Sequence, residues 1–175
     1  MMADAQGSGA TGPDSREAPG GAERRQTLTV AMRRELLAEL AREIGETAVI
    51  EGDRLLLEAG QDVVLNGHVA PDGTIVLTWW MTAMAPQGHP RWRDVAAQLT
   101  GQGEAIYTSA LGGGFLVEIE HRAATPREAA RLARSPKPVE RVRELVAAFP
   151  EAVAALPPEP VPEYLLPPSE QSDAG

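Results

Sequence analysis

The chain has 175 residues, a hydrophobic fraction of 43% and a net charge of −9, which suits a single domain with one core. It contains no cysteine, which excludes disulfides, thiolate metal sites and thiol nucleophiles. No stretch approaches the roughly 20 apolar residues of a membrane span, and the first residues lack the apolar region of a secretory signal, so we expect a cytoplasmic protein without membrane contacts.

The two ends of the chain differ in composition from the middle. Residues 1–25 are rich in Gly, Ala, Ser and Pro and predict a disordered N-terminal arm, while residues 151–175 are rich in Pro and Glu and predict a flexible tail. Since the tail holds most of the unbalanced acidic residues, the single α+β domain predicted for residues 26–150 is only mildly acidic. That balance argues against non-specific nucleic-acid binding, which requires clustered Lys and Arg.

The first predicted elements are one helix and two short strands. An amphipathic pattern that begins at Thr29 predicts a helix that ends at Gly45. Its apolar positions are Val30, Leu36, Leu37, Leu40, Ala41 and Ile44. Strands are predicted for residues 47–50 and 54–59, joined by a turn around Gly52.

The clearest local signal is a β-hairpin over residues 63–84. Pro71 suits the first central position of a type I turn, and Gly73 can adopt the positive φ that follows. The second strand alternates between two faces, one of which is predicted to join the core. The core face carries Ile75, Leu77, Trp79, Met81 and Ala83, and the opposite face carries Thr74, Val76, Thr78, Trp80 and Thr82.

A middle helix and a second hairpin follow. Pro90 suits the first turn of a helix that runs to about Leu99. The strands of the second hairpin are predicted for residues 104–110 and 115–122, with a glycine loop between them. Its second strand alternates apolar residues with Glu118, Glu120 and Arg122, which predicts one solvated face.

Two helices complete the predicted fold. Residues 125–128, Thr-Pro-Arg-Glu, form a capping box that begins a helix. The prolines at 136 and 138 stop or kink that helix, and a further helix is predicted for residues 139–149. The order α-β-β-β-β-α-β-β-α-α predicts an α+β fold, in which helices flank an antiparallel sheet of about five to six strands.

Patterns for catalysis and for metal binding are missing. The histidines, His68, His89 and His121, show no tight ligand pair, and no serine lies in a nucleophile elbow. The glycines at 112–114 precede a strand, so they lack the helix dipole and the lysine that hold a phosphate. The sequence predicts no catalytic residue, no metal site and no cofactor, and we expect a protein that is not an enzyme.

The first candidate site is the face of the central hairpin opposite the core. Val76, Trp80 and Met84 stand there among threonines such as Thr78. A sheet face with a large apolar side chain is rarely left exposed to solvent, and Trp and Met are favoured at protein interfaces. The face therefore suits a homodimer interface or the binding of a client protein. A loop or helix of the same chain would cover it equally well.

The second candidate site is a basic stripe near the C-terminus. Arg127, Arg131 and Arg134 recur at helical spacing, and Arg141 follows in the next helix. This pattern fits contacts with phosphates, as in single-stranded DNA, or with an acidic protein surface. Ordinary solvation of a helix explains it as well, and the sequence leaves the choice open.

A third candidate lies in the tail. Tyr164, Leu165 and Leu166 are three consecutive apolar residues flanked by prolines. They predict a short docking segment for a protein partner.

The order of elements resembles that of the YbjN-like family, which has a type III secretion chaperone-like fold. The resemblance covers about residues 27–149. It rests on the helix ending in Ile44-Gly45, the strands around the Gly-Asp-Arg-Leu-Leu-Leu of residues 52–57, the hairpin with Asp72-Gly73, the middle helix and the second hairpin.

This resemblance implies a non-enzymatic homodimer that binds other proteins through its sheet and helices. It also implies a role in bacterial stress or DNA-damage responses, with a single-stranded-DNA-binding or other repair protein as the client. The proline-broken terminal helix, the extra strand and the long tails depart from the simplest family pattern. The resemblance therefore specifies neither the dimer geometry nor the client site.

Overall fold

The computed structural model describes residues 27–45, 47–60, 62–84, 91–108 and 113–158. Its helices are α1 (Val30–Ile44), α2 (Trp92–Leu99), α3 (Pro126–Ala133) and α4 (Pro136–Ala154). Its strands are β1 (Val49–Glu51), β2 (Arg54–Glu58), β3 (Val64–Val69), β4 (Ile75–Ala83), β5 (Glu104–Thr108) and β6 (Phe115–Ala123). The predicted α+β fold and its order of elements are confirmed.

Several predictions concern residues outside the described ranges. These are the N-terminal arm, the docking segment Tyr164–Leu166, His89, and Pro90 as the start of the middle helix. They stay predictions.

All six strands form one antiparallel sheet, in the order β1-β2-β3-β4-β6-β5. Strands β1 to β4 are a meander, and the second hairpin joins it through β6, so that β1 and β5 form the two edges. Strand β4 pairs with β3 on one side and along its whole length with β6 on the other. The hairpin with the clearest sequence signal, β3 and β4, therefore occupies the middle of the sheet.

The turn between β3 and β4 has the geometry that the sequence predicts. Gly73 has a φ of 88° and donates its N–H to the carbonyl of Ala70 at 2.9 Å. The carbonyl of Pro71 accepts a hydrogen bond from the N–H of Leu28 at 2.7 Å. This bond ties the residues that precede α1 to the tip of the hairpin.

Alternation along the strands places one face of the sheet in the core, as predicted. Its largest fully buried members are Leu55, Leu65, Ile75, Leu77, Trp79 and Val117 from the sheet and Leu37, Leu40, Val142, Leu145 and Phe149 from the helices. Met81 and Ala83 pack against this core and stay partly exposed.

Local hydrogen bonds explain where α3 and α4 begin. The hydroxyl of Thr125 accepts from the N–H of Glu128 at 3.2 Å, and the carboxylate of Glu128 accepts from the N–H of Ala124 at 3.0 Å. The predicted capping box is thus present, with Glu128 reaching one residue further back. Ser135 caps α4, whose prolines 136 and 138 lie in the first turn, where an N–H is not needed.

Helix α4 continues past its predicted end at Phe149. It contains Pro150 and runs to Ala154, although an internal proline removes one helical hydrogen bond. Val153 is buried, and Leu156 packs against the core just beyond the helix. Burial of these side chains offsets the cost of the proline. The predicted start of the tail at residue 151 therefore lies inside α4.

Candidate protein-binding site

The sheet has a second face, which points away from the core. Three cross-strand rows of β3, β4 and β6 make up its centre, which we call the open face: His68–Val76–Arg122, Asn66–Thr78–Glu120 and Val64–Trp80–Glu118. None of these nine residues is a member of the hydrophobic core that lies between the sheet and the described helices. The predicted site residues Val76, Thr78 and Trp80 therefore share one surface.

The apolar residues of the open face are covered to different degrees. Val76 retains only 4% exposure, and Val64 and Trp80 are partly buried. Val64 and Trp80 are direct cross-strand partners, so their side chains lie side by side. Val64 and Trp80 therefore form an apolar pair that is partly open to a second molecule within the described part of the protein, whereas Val76 is already covered.

One polar atom on the open face also lacks a partner. The side-chain oxygen of Asn66 is buried and accepts no hydrogen bond from any residue that the structure describes. An unsatisfied buried acceptor costs about 1–3 kcal/mol. Because neighbouring atoms of the same chain bury this oxygen, the cost belongs to the fold of the single chain.

The open face carries both signs of charge at its rim. Arg122 donates to the carboxylate of Glu120 at 2.9 Å, and Glu118 lies beside Trp80. The solvated face predicted for the second hairpin is therefore continuous with the face that carries Trp80. The register of β4 with β6 brings the two together.

Met84, the fourth predicted interface residue, lies beside the open face rather than within it. It follows β4 directly and is 79% exposed. With Thr82, Ala83, Tyr107, Phe115 and Leu116 it lines an apolar recess of about 570 Å³ at the end of the sheet. We call this the apolar recess.

The arginines of the basic stripe do not form one free cluster. Arg134 donates to the carbonyl of Glu43 at 2.7 Å, which satisfies the C-terminal end of α1. Arg127 and Arg131 are exposed on α3 and make no hydrogen bond or ion pair within the described ranges. Only these two stay open to a ligand.

Arg141 is part of an ion pair that joins α4 to β5. It donates to the carboxylate of Glu104 through two nitrogens, at 2.8 and 2.9 Å, and to the carbonyl of Leu99 at 2.9 Å. A third nitrogen lies 3.0 Å from the carboxylate of Glu144. This bidentate ion pair links the edge strand β5 to the last described helix, α4.

These contacts change the titration of both partners. Hydrogen bonding by Arg141 holds the pKa of Glu104 below its ordinary value; burial partly opposes this effect, and the N–H of Gly101 adds to it. The two carboxylates around Arg141 raise its pKa further above its usual range. Both groups therefore stay charged at neutral pH.

We expect Glu104→Gln to remove a pH-dependent part of the stability. Because the folded pKa of Glu104 is lowered, the pair stabilises the protein above the ordinary pKa of 4.5 and loses this effect as the pH falls through the folded value. At pH 7 the variant should lose about 1–2 kcal/mol of unfolding free energy. This difference should shrink below pH 4.5, as measured by urea unfolding at several pH values.

Glu144→Gln is the matched control, since Glu144 contacts the same arginine but its side chain is 65% exposed. An exposed pair of this kind contributes under about 0.5 kcal/mol. Stability profiles for Glu104→Gln and the native chain that run parallel from neutral to acidic pH would contradict the assignment.

The described histidines lie on opposite sides of the sheet. His68 is on the open face, whereas the ring of His121 packs edge-on against Trp79, with ring centres 5.5 Å apart. Within the described ranges, no three His, Cys, Asp or Glu residues are grouped so that they could hold a metal ion. None of the helices in these ranges has the length and apolar character needed to cross a membrane.

Comparisons with known proteins add no further assignment. No family model matches the chain, and neither a curated protein nor a solved structure matches it.

Proposed function

We propose that this protein is a non-enzymatic, homodimeric adaptor or chaperone-like protein of the YbjN-like kind, with the type III secretion chaperone-like fold. It acts in the cytoplasm, in a bacterial stress or DNA-damage response, and its client is a single-stranded-DNA-binding or other repair protein. The observation that carries the dimer is the open face, where Trp80 and Val64 lie side by side without a covering helix in the described chain.

The chemistry of the open face suits a second copy of the same chain. One of its rows holds the apolar pair Val64 and Trp80, and aromatic residues such as Trp are enriched at protein interfaces. Its β6 side holds both Glu118 and Arg122. In a two-fold dimer each patch meets itself, so a rim with both signs can pair acidic with basic groups across the axis.

Trp80→Ser is expected to weaken the dimer strongly. A buried Trp near the centre of an interface commonly contributes 2 kcal/mol or more, which corresponds to a rise in Kd of about 30-fold. Sedimentation equilibrium across micromolar concentrations measures this change. Met32→Ser is the control, because Met32 is an apolar residue of α1 that is 47% exposed and lies away from the open face.

A native chain that stays monomeric at these concentrations would refute the dimer, as would equal effects of the two substitutions. The client is tested separately, by comparing capture of a purified single-stranded-DNA-binding protein by the native chain and by Trp80→Ser. Capture by neither protein would refute the proposed client.

Direct binding of single-stranded DNA is the alternative function. It is supported by Arg127 and Arg131, which are exposed one turn apart on α3 and unpaired within the described part. Arg134 and Arg141 contribute less, since both are already engaged. Binding at low salt that Arg131→Glu abolishes would favour this function over the adaptor.

A further inference from the structure

The apolar recess is a distinct feature beside the open face. Met84 and Tyr107, which line it, are 79% and 51% exposed and are the most exposed large apolar residues at this end of the sheet within the described ranges. None of the described residues that line it is charged. Exposed large apolar groups gathered in one recess indicate a binding surface.

The last described helix, α4, runs on the core side of the sheet from the start of β5, where Arg141 pairs with Glu104, towards the end that holds the recess. The ring of Phe149 in α4 packs against that of Phe115, which lines the recess, with ring centres 5.0 Å apart. Beyond Phe149, the N–H of Leu156 donates to the carbonyl of Val153, and Leu156 packs on the core. At the helical rise, Leu156 lies about 10 Å along the axis from Phe149.

We propose that the segment Tyr164–Leu166 of the same chain docks in the apolar recess. Seven residues lie between Leu156 and Tyr164, and the eight residue steps that join them span up to about 27 Å when the chain is extended. This reach exceeds the roughly 10 Å back to Phe149 together with the 5.0 Å between the rings of Phe149 and Phe115. The recess therefore lies within range of the three apolar residues of the tail.

The composition of the tail segment suits the chemistry of the apolar recess. Prolines 157, 158, 160 and 162 precede the segment and prolines 167 and 168 follow it, and a proline-rich chain loses little conformational entropy on binding. Such chains bind aromatic-lined grooves, and Tyr107 supplies an exposed ring. The acidic residues of the tail flank the segment, so they stay in water when it docks.

Because the segment belongs to the same chain, a weak intrinsic affinity is enough to keep the recess occupied. A short flexible connection gives the segment an effective concentration in the millimolar range, so even a millimolar intrinsic affinity leaves the recess substantially occupied. Because Thr82 and Leu116 of the recess lie on the same sheet face as Trp80, the docked tail covers one border of the open face. This contact does not depend on the proposed dimer or its client.

The test uses the full chain, which has no native cysteine to interfere with labelling. A spin label on Ser169→Cys is combined with NMR of methyl-labelled methionine. We expect loss of most of the methyl signal of Met84, in the recess, and little loss for Met32. Met32 is a suitable control because α1 begins beside Pro71, at the opposite end of β4.

Adding Leu165→Ser and Leu166→Ser to the labelled chain should restore the Met84 signal. Equal attenuation of Met84 and Met32, or no recovery in the double variant, would overturn the proposal. A mixture of methyl-labelled chains without spin label and spin-labelled chains without methyl label tests the tether. Attenuation of Met84 in that mixture as strong as in the single chain would show docking between copies, which also overturns it.

Discussion

Gly103→Ala is expected to destabilise the protein by about 3 kcal/mol or more. Gly103 has a φ of 77°, and a Cβ atom there would lie 2.7 Å from the carbonyl oxygen of Glu120. The same two residues already share a 2.7 Å hydrogen bond from the N–H of Glu120 to the carbonyl of Gly103, so neither backbone can move away without losing it. The strained φ and the steric conflict therefore add.

Gly52→Ala separates these two effects. Gly52 has a φ of 65°, but a Cβ atom there would meet nothing within 4 Å. This variant should lose only the cost of the left-handed conformation, about 1 kcal/mol. Urea unfolding of both variants gives the comparison, with the change in midpoint interpreted at constant slope. Equal losses would show that the turn before β5 adjusts freely.

Trp79→Ala and Trp80→Ala should differ by about 2–3 kcal/mol, although the same side chain is removed from adjacent positions. Trp79 has 0% exposure and contacts the ring of His121, so its removal leaves a cavity in the core. Losses of about 3–5 kcal/mol are typical of such changes. Trp80 lies on the open face, where water already reaches it, and we expect a loss near 1 kcal/mol.

The comparison should be made at protein concentrations below any dimer dissociation constant, because a dimer adds concentration-dependent stability to the native state. Unfolding in urea, followed by circular dichroism, measures both variants without relying on tryptophan fluorescence. If Trp80→Ala cost as much as Trp79→Ala in the monomer, something within one chain would have to cover Trp80. The open face could not then be a dimer interface.

The sequence predicts the fold of this chain well where the signal is local. Alternation along β4, the proline and glycine of its turn, and the capping box at Thr125 each depend on neighbouring residues, and each is present in the structure. The end of α4 was missed, since burial of Val153 depends on tertiary contacts that outweigh the local effect of Pro150.

Relations between distant segments could not be predicted in the same way. Neither strand's own sequence indicates that β6 rather than β5 pairs with β4, although the longer of the two takes the inner position. Arg141 was predicted to be open to a partner, whereas it pairs with Glu104, 37 residues away. A charge pattern along one helix carries no information about a carboxylate that arrives from another element.

The strand order also bears on how the protein forms during synthesis. Residues 27–84, which contain α1 and β1 to β4, are contiguous, so their pairings are local and should form early. Strand β6 is synthesised only after residues 84–114. Until then β4, the most apolar strand, has one backbone edge without a hydrogen-bonding partner. We expect this interval to be the period in which the nascent chain is most prone to aggregation.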